Sequence, residues 1–531
     1  MTSRPLGAQI SHMLKARGVD VIFGIPGVHN VEMYRGIEEA GIRHILARHE
    51  QGAGFMADGY ARATGRPGVA YVITGPGLTN ILTPLGQAYS DSVPVLAISS
   101  CLDPQDTGVA KGKLHEMRDQ AGAAATVCDW SALAGDAATA LDLIDRALTE
   151  FATMRPRPKH IQVPISVLAQ ATDTQWSPSV PASVLHAVSD DGITRLAGLV
   201  AASRRPLFVF GGGAVRASDA AQQVLALTRA ASFVTSAGRG ILSPDDPLAF
   251  GGYLARPGSD AEIAKADLVI AVGTELSETD LWRDSLGHRG DLVRVDIDPA
   301  SLSDRQNATM RLQADAGHVL TALSERLSGH IPQTEWTPAE VAAARARWRA
   351  EVDAERPGLL PVLEALRAAL PKHTTVYSDM TQFAYTALET WDMAVPGIWH
   401  HPFGFGTLGY ALPAAIGGKV GLPDSPVVAI AGDYGLQYTL PELGTAVELG
   451  LPLPIILWDN GKLKEIEDAM RRSQIAPNAV IARNPDFLAL ARAYGAGAAE
   501  PATLDQVGDV LRLALAAKRP TLIRLTPDLT R

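Results

Sequence analysis

Two polar side chains in the last third of the chain follow apolar segments that have the length of buried strands. Asp433 stands in the turn Gly432-Asp433-Tyr434-Gly435 after the segment 427–431, and Asn460 follows the segment Pro454–Trp458. A carboxylate and an amide oxygen suit a hard cation such as Mg²⁺ that also holds phosphate oxygens. The two glycines would let a diphosphate approach the backbone closely. A capped strand–helix turn is the alternative, and the asparagine after the next strand favours the cofactor site.

These side chains can meet only if both segments are strands of one parallel sheet, because ligands bind at the carboxyl ends of such strands. Short apolar segments separated by helical patterns recur along the whole chain. They lie at 19–23, 68–74 and 93–99, then at Pro206–Phe210, Leu268–Val272 and 292–297, and finally at 374–378, 427–431 and Pro454–Trp458. The pattern predicts an α/β protein with three doubly wound parallel-sheet domains.

The predicted domains cover residues 1–175, 190–330 and 358–531. A Pro/Ser-rich stretch at 177–183 predicts a linker, and a charged segment at 334–357 predicts an exposed connecting helix. A further helix is expected at 31–40.

Composition narrows the class of protein. The chain has 531 residues and a net charge of −10 without a basic stripe, which argues against nucleic-acid binding. Its two cysteines, Cys101 and Cys128, cannot build a disulfide framework. No apolar run is long enough to cross a membrane, and residues 1–18 lack the pattern of a signal peptide. We therefore expect a cytoplasmic protein that binds neither nucleic acid nor membrane.

The turn at Asp433 and the later Asn460 resemble the signature of a thiamine-diphosphate superfamily, which includes acetolactate synthase, pyruvate decarboxylase and benzoylformate decarboxylase. That signature is Gly-Asp-Gly followed by Asn-Asn. The resemblance implies Mg²⁺ held by Asp433, by the Asn460 side chain and by the backbone carbonyl of Lys462. Two residues depart from it, since Tyr434 replaces the second glycine and Asp459 the first asparagine. Neither position is expected to bind the metal.

Segments of the first domain resemble the family's pyrimidine-binding region. Arg48-His49-Glu50 is followed by Ala57-Asp58-Gly59-Tyr60-Ala61-Arg62. Glu50 matches the catalytic glutamate, whose carboxylate stabilises the imino tautomer of the pyrimidine so that the cofactor can lose its thiazolium proton. Gly75 and Asn80 match a family loop beside the pyrimidine.

Two further regions extend the resemblance over nearly the whole chain. The loop Gly404-Phe405-Gly406-Thr407-Leu408-Gly409 resembles the one that supports the thiazolium ring, with Gly406 beside the cofactor and Leu408 as the bulky residue that bends it. The middle domain resembles the family's central domain, where some relatives bind FAD or ADP. Its glycine triplet, Gly211-Gly212-Gly213, lacks a dinucleotide fingerprint, so FAD is not expected.

Four residues bear on the fate of the substrate. Val28 stands where the pyruvate decarboxylase branch has an acidic residue, and His29 follows it. Leu114-His115 replaces the Phe-Gln pair of acetolactate synthases. A histidine can donate a proton near neutral pH, as aldehyde release requires. We therefore expect catalytic roles for His115 and His29, with Val28 and Leu114 lining the substrate pocket. Surface histidines on loops are the alternative.

Glu465 and Ile466 occupy positions that line the substrate pocket in relatives. A carboxylate there would repel pyruvate, but it could accept two hydrogen bonds from a guanidinium. The chain is also similar to bacterial 5-guanidino-2-oxopentanoate decarboxylases, particularly at Gly24-Ile25-Pro26-Gly27-Val28-His29 and Leu114-His115-Glu116. A helix-start acid favoured by the dipole is the alternative reading of Glu465.

The resulting hypothesis is non-oxidative decarboxylation of a 2-oxo acid, with 5-guanidino-2-oxopentanoate as the best specific substrate and 4-guanidinobutanal and carbon dioxide as products. An acetolactate-synthase-like carboligase acting on pyruvate is the alternative. The family resemblance also implies a homodimer or homotetramer, with Glu50 and Asp433 of one site coming from different chains.

Overall fold

The computed structural model describes residues 3–107, 109–176 and 187–530. The predicted linker at 177–183 lies outside these ranges. The chain forms two compact units. One comprises Met1–Ser183, Thr374–Thr381 and His400–Thr526, and the other Val184–His373, Gln382–Trp399 and Pro527–Arg531. Three six-stranded sheets with interleaved helices confirm the predicted α/β class.

The first sheet has the strand order β3-β2-β4-β5-β7-β6, and each neighbouring pair is parallel. Strands β4 and β5 are buried along their whole length, as expected of parallel strands covered on both faces. Its strands are β2 (Val21–Gly24), β3 (Arg43–Leu46), β4 (Gly68–Val72), β5 (Val95–Cys101), β6 (Trp130–Leu133) and β7 (Lys159–Pro164). Strands β1 (Arg4–Pro5) and β8 (Ala171–Thr172) pair antiparallel as a separate two-stranded sheet. The helices are α1 (Leu6–Ala16), α2 (Glu50–Thr64), α3 (Pro76–Ser90), α4 (Gln120–Ala125), α5 (Ala137–Thr153) and α6 (Ile165–Ala169).

The second sheet lies in the other unit and has the order β11-β10-β9-β12-β13-β14, again parallel throughout. Its strands are β9 (Pro206–Phe210), β10 (Ala231–Val234), β11 (Ala249–Gly251), β12 (Leu268–Val272), β13 (Asp291–Asp296) and β14 (Met310–Gln313). Its helices are α7 (Asp190–Ala202), α8 (Ser218–Thr228), α9 (Ser259–Ile263), α10 (Glu278–Leu281), α11 (Pro299–Leu302), α12 (Ala316–Arg326) and α13 (Pro338–Glu355).

The third sheet has the order β16-β15-β17-β18-β20-β19, with β15, β17, β18, β20 and β19 paired in parallel. Its strands are β15 (Thr375–Ser378), β16 (Trp399–His400), β17 (Val427–Gly432), β18 (Pro454–Trp458), β19 (Gly497–Ala499) and β20 (Thr521–Leu525). The remaining helices are α14 (Leu359–Ala369), α15 (Gln382–Thr390), α16 (Ala411–Gly421), α17 (Asp433–Tyr438), α18 (Glu442–Glu448), α19 (Lys464–Arg472), α20 (Phe487–Ala493) and α21 (Leu504–Ala516). Short 3₁₀ helices span Val31–Tyr34, Gly212–Ala217 and Pro527–Thr530.

Helices α2 and α16 pack so closely that their backbones touch. A Cβ on Gly59 would lie 2.0 Å from the carbonyl oxygen of Ala414, and a Cβ on Gly417 would lie 1.9 Å from that of Met56. Only glycine permits this approach. The contact fixes helix α2, which begins at Glu50, against the helix that follows the loop 404–409.

Two of the predicted helices can be compared directly with the structure. The helix expected at 31–40 is wrong, since only a 3₁₀ turn forms at Val31–Tyr34. Gly36 has φ +83°, and a Cβ built on it would lie 2.9 Å from the Cα of Ala8. Close packing against α1 therefore prevents a regular helix. A helix in the segment 334–357 is confirmed as α13, which begins at a capping box formed by Thr337 and Glu340. Within the described ranges, no helix has the length and apolar character needed to cross a membrane.

Candidate active site

Glu50 is the first residue of α2, and its carboxylate is half-buried. The Asn80 amide, from the second turn of α3, donates a hydrogen bond of 2.9 Å to Glu50 Oε2. The other carboxylate oxygen lies 3.5 Å from the position of a Cβ on Gly77. The beginning of α3 therefore holds Glu50 in a fixed orientation.

The chain leading into Glu50 is anchored by a carboxylate from the third sheet's helices. Glu442 is buried and accepts hydrogen bonds of 3.0 Å from the backbone N–H groups of both Arg48 and His49. A Cβ on Gly52 would lie 2.1 Å from Glu442 Oε1, so only glycine leaves room for this carboxylate. Burial raises the pKa of Glu442, while the hydroxyl of Thr445 and these N–H groups lower it. Glu442 thus fixes the start of α2.

His115 packs against the turn that precedes α3. Gly75 has φ +72°, and a Cβ there would lie 2.8 Å from the His115 carbonyl oxygen and 3.0 Å from its Cα. His115 itself has φ +64°, a left-handed conformation that is costly for a residue with a Cβ. Backbone strain of this kind persists only where the surroundings impose it, and it is concentrated at functional sites.

The two candidate histidines lie in contact with each other. Their Nδ1 atoms are 3.2 Å apart, and their rings meet edge to face with centroids 4.9 Å apart. Burial and the charge of His115 both lower the pKa of His29. A positive charge on His115 therefore disfavours a proton on His29.

Gln120 anchors the loop that carries His115. Its carbonyl oxygen accepts from the Thr74 hydroxyl at 2.7 Å and from the Gly75 N–H at 3.2 Å. Its amide nitrogen donates to the Ser99 hydroxyl at 3.1 Å and to the Ser100 carbonyl at 2.8 Å. All four hydrogen bonds form inside the protein, so this buried amide holds Gly75 firmly.

The candidate metal residues Asp433 and Asn460 follow the carboxyl ends of the adjacent parallel strands β17 and β18. Asp433, 3% exposed, begins α17, and the turn after Asp459 brings Asn460 Oδ1 within 3.2 Å of the Lys462 backbone nitrogen. Burial raises the pKa of Asp433, and the neighbouring Asp459 adds to this effect. A buried carboxylate, an amide oxygen and a peptide carbonyl make a donor set that fits Mg²⁺.

The glycines beside Asp433 serve close packing. A Cβ on Gly435 would lie 2.6 Å from Asp379 Oδ2, and the same oxygen accepts a hydrogen bond of 2.9 Å from the Gly409 N–H. Burial raises the pKa of Asp379 to about 6, although several backbone N–H groups lower it. Asp379 therefore ties the candidate cofactor loop to the turn after β17.

Four other residues predicted to bind the cofactor lie in this loop and in the turn after β17. Gly406 has φ +65°, and Leu408 is half-buried in the same loop. Gly432 caps α17 without a side chain, and Tyr434 is half-buried next to Asp433. The roles of Leu408 and Tyr434 at the cofactor stay predictions.

The residues expected at the substrate are exposed. Val28 is 67% exposed and Leu114 is 60% exposed, in the segments next to His29 and His115. Ile466, in α19, is 47% exposed. Glu465, in the same helix, accepts a hydrogen bond of 3.2 Å from Arg472. Its carboxylate therefore already binds a guanidinium, at the surface of one helix.

Several residues at this site were not found from the sequence. Asp379 follows β15 as Asp433 follows β17, so the same strand-end rule could have identified it. Gln120, Glu442 and Asn484 act through contacts between segments distant in sequence, which spacing alone does not reveal.

Family models match all three parts of the chain. Residues 4–123 match the thiamine pyrophosphate enzyme N-terminal TPP binding domain, residues 193–323 the central domain, and residues 379–525 the C-terminal TPP binding domain. The chain belongs to the thiamine pyrophosphate enzyme family.

Similar proteins cover nearly the whole chain. One is the probable 2-ketoarginine decarboxylase AruI of Pseudomonas aeruginosa, which is 45% identical over 98% of this chain and 93% of its own length. The large subunit of acetolactate synthase isozyme 2 from Escherichia coli is 29% identical over 98% of this chain and 95% of its own. Acetolactate synthase of Mycobacterium bovis is 31% identical over 96% of this chain and 86% of its own length.

Proposed function

We propose that this thiamine-diphosphate-dependent carboxy-lyase converts 5-guanidino-2-oxopentanoate, the 2-oxo acid derived from arginine, into 4-guanidinobutanal and carbon dioxide. Bound thiamine diphosphate supplies the electron sink for loss of carbon dioxide from a 2-oxo acid. The residues of the chain bind and orient that cofactor, select the substrate and decide the fate of the product.

One observation carries this proposal: the beginning of α3 holds a carboxylate on one side and a histidine pair on the other. Asn80 binds Glu50, while Gly75 supports His115, which contacts His29. Glu50 is the group that activates the pyrimidine. The histidine pair is the proton donor for aldehyde release, because burial and the charge of His115 lower the pKa of His29 and so favour loss of its proton.

The third sheet binds the diphosphate end of the cofactor. Asp433, Asn460 and the Lys462 carbonyl would hold Mg²⁺, and the turn of Gly432, Tyr434 and Gly435 would bind the phosphates. Gly406 and Leu408 would support the thiazolium ring. The buried carboxylate and the tight Asn460–Lys462 turn support this assignment.

Glu465 selects the cationic substrate. Its carboxylate accepts a hydrogen bond from the guanidinium of Arg472, which is the same chemical group as the tail of the substrate. The substrate tail replaces Arg472 on binding, and the apolar Ile466, Val28 and Leu114 line the pocket around its methylene chain. The 45% identity to a relative named as a 2-ketoarginine decarboxylase supports this substrate.

The active enzyme is a homodimer or a homotetramer built from such dimers. Each site combines Glu50 of one chain with Asp433 of another, as the family resemblance implies. Within one chain, Glu50 and Asp433 both lie in the compact unit that contains the first and third sheets.

Identification of the products tests this function. The protein is incubated with thiamine diphosphate, Mg²⁺ and 5-guanidino-2-oxopentanoate, and the products are identified by mass spectrometry. We expect 4-guanidinobutanal and carbon dioxide in equal amounts. A carboligated hydroxy acid, or acetolactate formed in a parallel incubation with pyruvate alone, would instead support the synthase activity named for the relatives at 29–31% identity.

A further inference from the structure

Asn484 connects the two carboxylates at the ends of β17 and β18. Its amide nitrogen donates a hydrogen bond of 2.6 Å to Asp433 Oδ2 and one of 2.8 Å to Asp459 Oδ1. Both amide hydrogens are thereby used. The Asn484 oxygen accepts from Gln437 Nε2 at 3.3 Å. No signature motif includes Asn484, which lies between α19 and α20.

Asp459 replaces the family's asparagine and brings a second negative charge next to Asp433. Its Oδ2 accepts a hydrogen bond of 2.7 Å from Arg524 Nε, and a second nitrogen of Arg524 pairs with Glu500 at 2.9 Å. Asp459 is 7% exposed. Because one of its oxygens binds Arg524 and the other binds Asn484, Asp459 is held away from a cation at Asp433.

We propose that Asn484 is a positioning residue for the metal ion: it fixes the rotamer of Asp433 and, together with Arg524, keeps Asp459 out of the coordination sphere. This inference rests on the proposed function, which assigns Mg²⁺ to Asp433. Hydrogen bonds from outside the ligand set orient the ligands and set metal affinity. Without Asn484, Asp433 loses the hydrogen bond from the Asn484 amide, and Asp459 keeps the hydrogen bond from Arg524.

Metal binding can be measured directly with Mn²⁺, because its free form gives an electron paramagnetic resonance signal that binding removes. The full-length protein with thiamine diphosphate is titrated as wild type, Asn484→Ala, Asn478→Ala and Asp433→Asn. Asn478 is the matched control, since it is exposed in the same segment and bonds only locally, to the Ala476 carbonyl. We expect Asn484→Ala to raise the Mn²⁺ Kd by about 10–100-fold and Asn478→Ala to leave it unchanged.

Thermal unfolding with and without Mn²⁺ separates positioning from a general structural role. A ligand that binds the native state raises the unfolding midpoint, and the rise grows with the logarithm of the ratio of ligand concentration to Kd. We expect Asn484→Ala to reduce the Mn²⁺-induced rise in the midpoint while the metal-free midpoint stays near that of Asn478→Ala. A wild-type Kd in Asn484→Ala, or an equal fall of both midpoints, would overturn the inference. Wild-type Mn²⁺ binding by Asp433→Asn would overturn the proposed metal site itself.

Discussion

At the scale of residues, function depends on side chains that other side chains hold in place. Glu50 is oriented by Asn80, and the backbone before it is fixed by Glu442. The contact between His115 and His29 depends in the same way on the turn at Gly75. Substitutions can therefore distinguish the residues that take part in the reaction from the residues that hold them in place.

His115→Gln introduces the glutamine found in acetolactate synthases and removes half of the proton-donating pair. We expect the kcat for aldehyde release to fall by about 10²-fold or more, the size of a general acid contribution. The substitution also removes the charge that, after burial, lowers the pKa of His29. The pKa of His29 should therefore rise, as measured by NMR titration of ¹³C-labelled histidine.

The control is His12→Gln, a histidine of the first domain that bonds Arg4. It should keep both the wild-type kcat and the wild-type pKa of His29. Unchanged aldehyde release by His115→Gln would remove the histidine pair from the mechanism.

At the scale of elements, tight turns and helix ends bring the site together. The turn before α3 is built on glycine because His115 occupies the space of a side chain at position 75. The α2–α16 contact is likewise possible only with glycines at 59 and 417. A side chain at position 59, 75 or 417 would therefore displace a segment that carries site residues.

Gly75→Ala tests this dependence. Its Cβ would lie 2.8 Å from the His115 carbonyl oxygen at a backbone φ of +72°, so both the contact and the conformation are unfavourable. We expect a loss of about 1–3 kcal/mol in stability, measured by urea unfolding, and a larger fall in kcat than in cofactor affinity.

Gly135→Ala is the matched control, because a Cβ there would meet nothing within 4 Å. It should change neither stability nor kcat. If Gly75→Ala behaves in the same way, the turn does not position His115.

The sequence predicts most of the elements and only part of the site. Strand segments such as Pro454–Trp458 are recognisable because burial on both faces requires continuous apolar runs. The helix expected at 31–40 fails, since Gly36 has a positive φ and packs against Ala8 of α1. Asn484 and Gln120 could not be predicted, because their partners lie far along the chain.

At the scale of the whole molecule, buried histidines link stability to pH. Burial lowers the pKa of His160 to about 3, and the side chain lies between the hydroxyls of Ser99 and Ser131. The unfolded chain binds this proton near pH 6.5 whereas the native state does not. Protonation therefore favours unfolding, and the stability contributed by neutral His160 is lost as pH falls below 6.5.

We expect His160→Gln to reduce the difference in unfolding free energy between pH 7.5 and pH 5.5 by roughly 1.4 kcal/mol, the value of one pH unit. Urea unfolding at the two pH values measures this difference, and His12→Gln should leave it unchanged. An equal pH dependence in His160→Gln and wild type would show that His160 is not the titrating group.

The proposed assembly can be tested by mixing two inactive variants, Glu50→Gln and Asp433→Asn. If each site combines Glu50 of one chain with Asp433 of another, a mixed dimer contains one intact site. Subunit exchange should then restore about a quarter of wild-type activity, because half of the dimers are mixed. Activity that stays at the level of the separate variants would mean that each chain builds its own site.

The substrate preference of the wild-type enzyme tests the proposed decarboxylation of the guanidino acid. Initial rates of carbon dioxide release are measured for 5-guanidino-2-oxopentanoate and for pyruvate, with thiamine diphosphate and Mg²⁺ present. We predict a kcat/KM for the guanidino acid at least about 100-fold above that for pyruvate, as loss of a charge-assisted contact implies. A preference for pyruvate would contradict it.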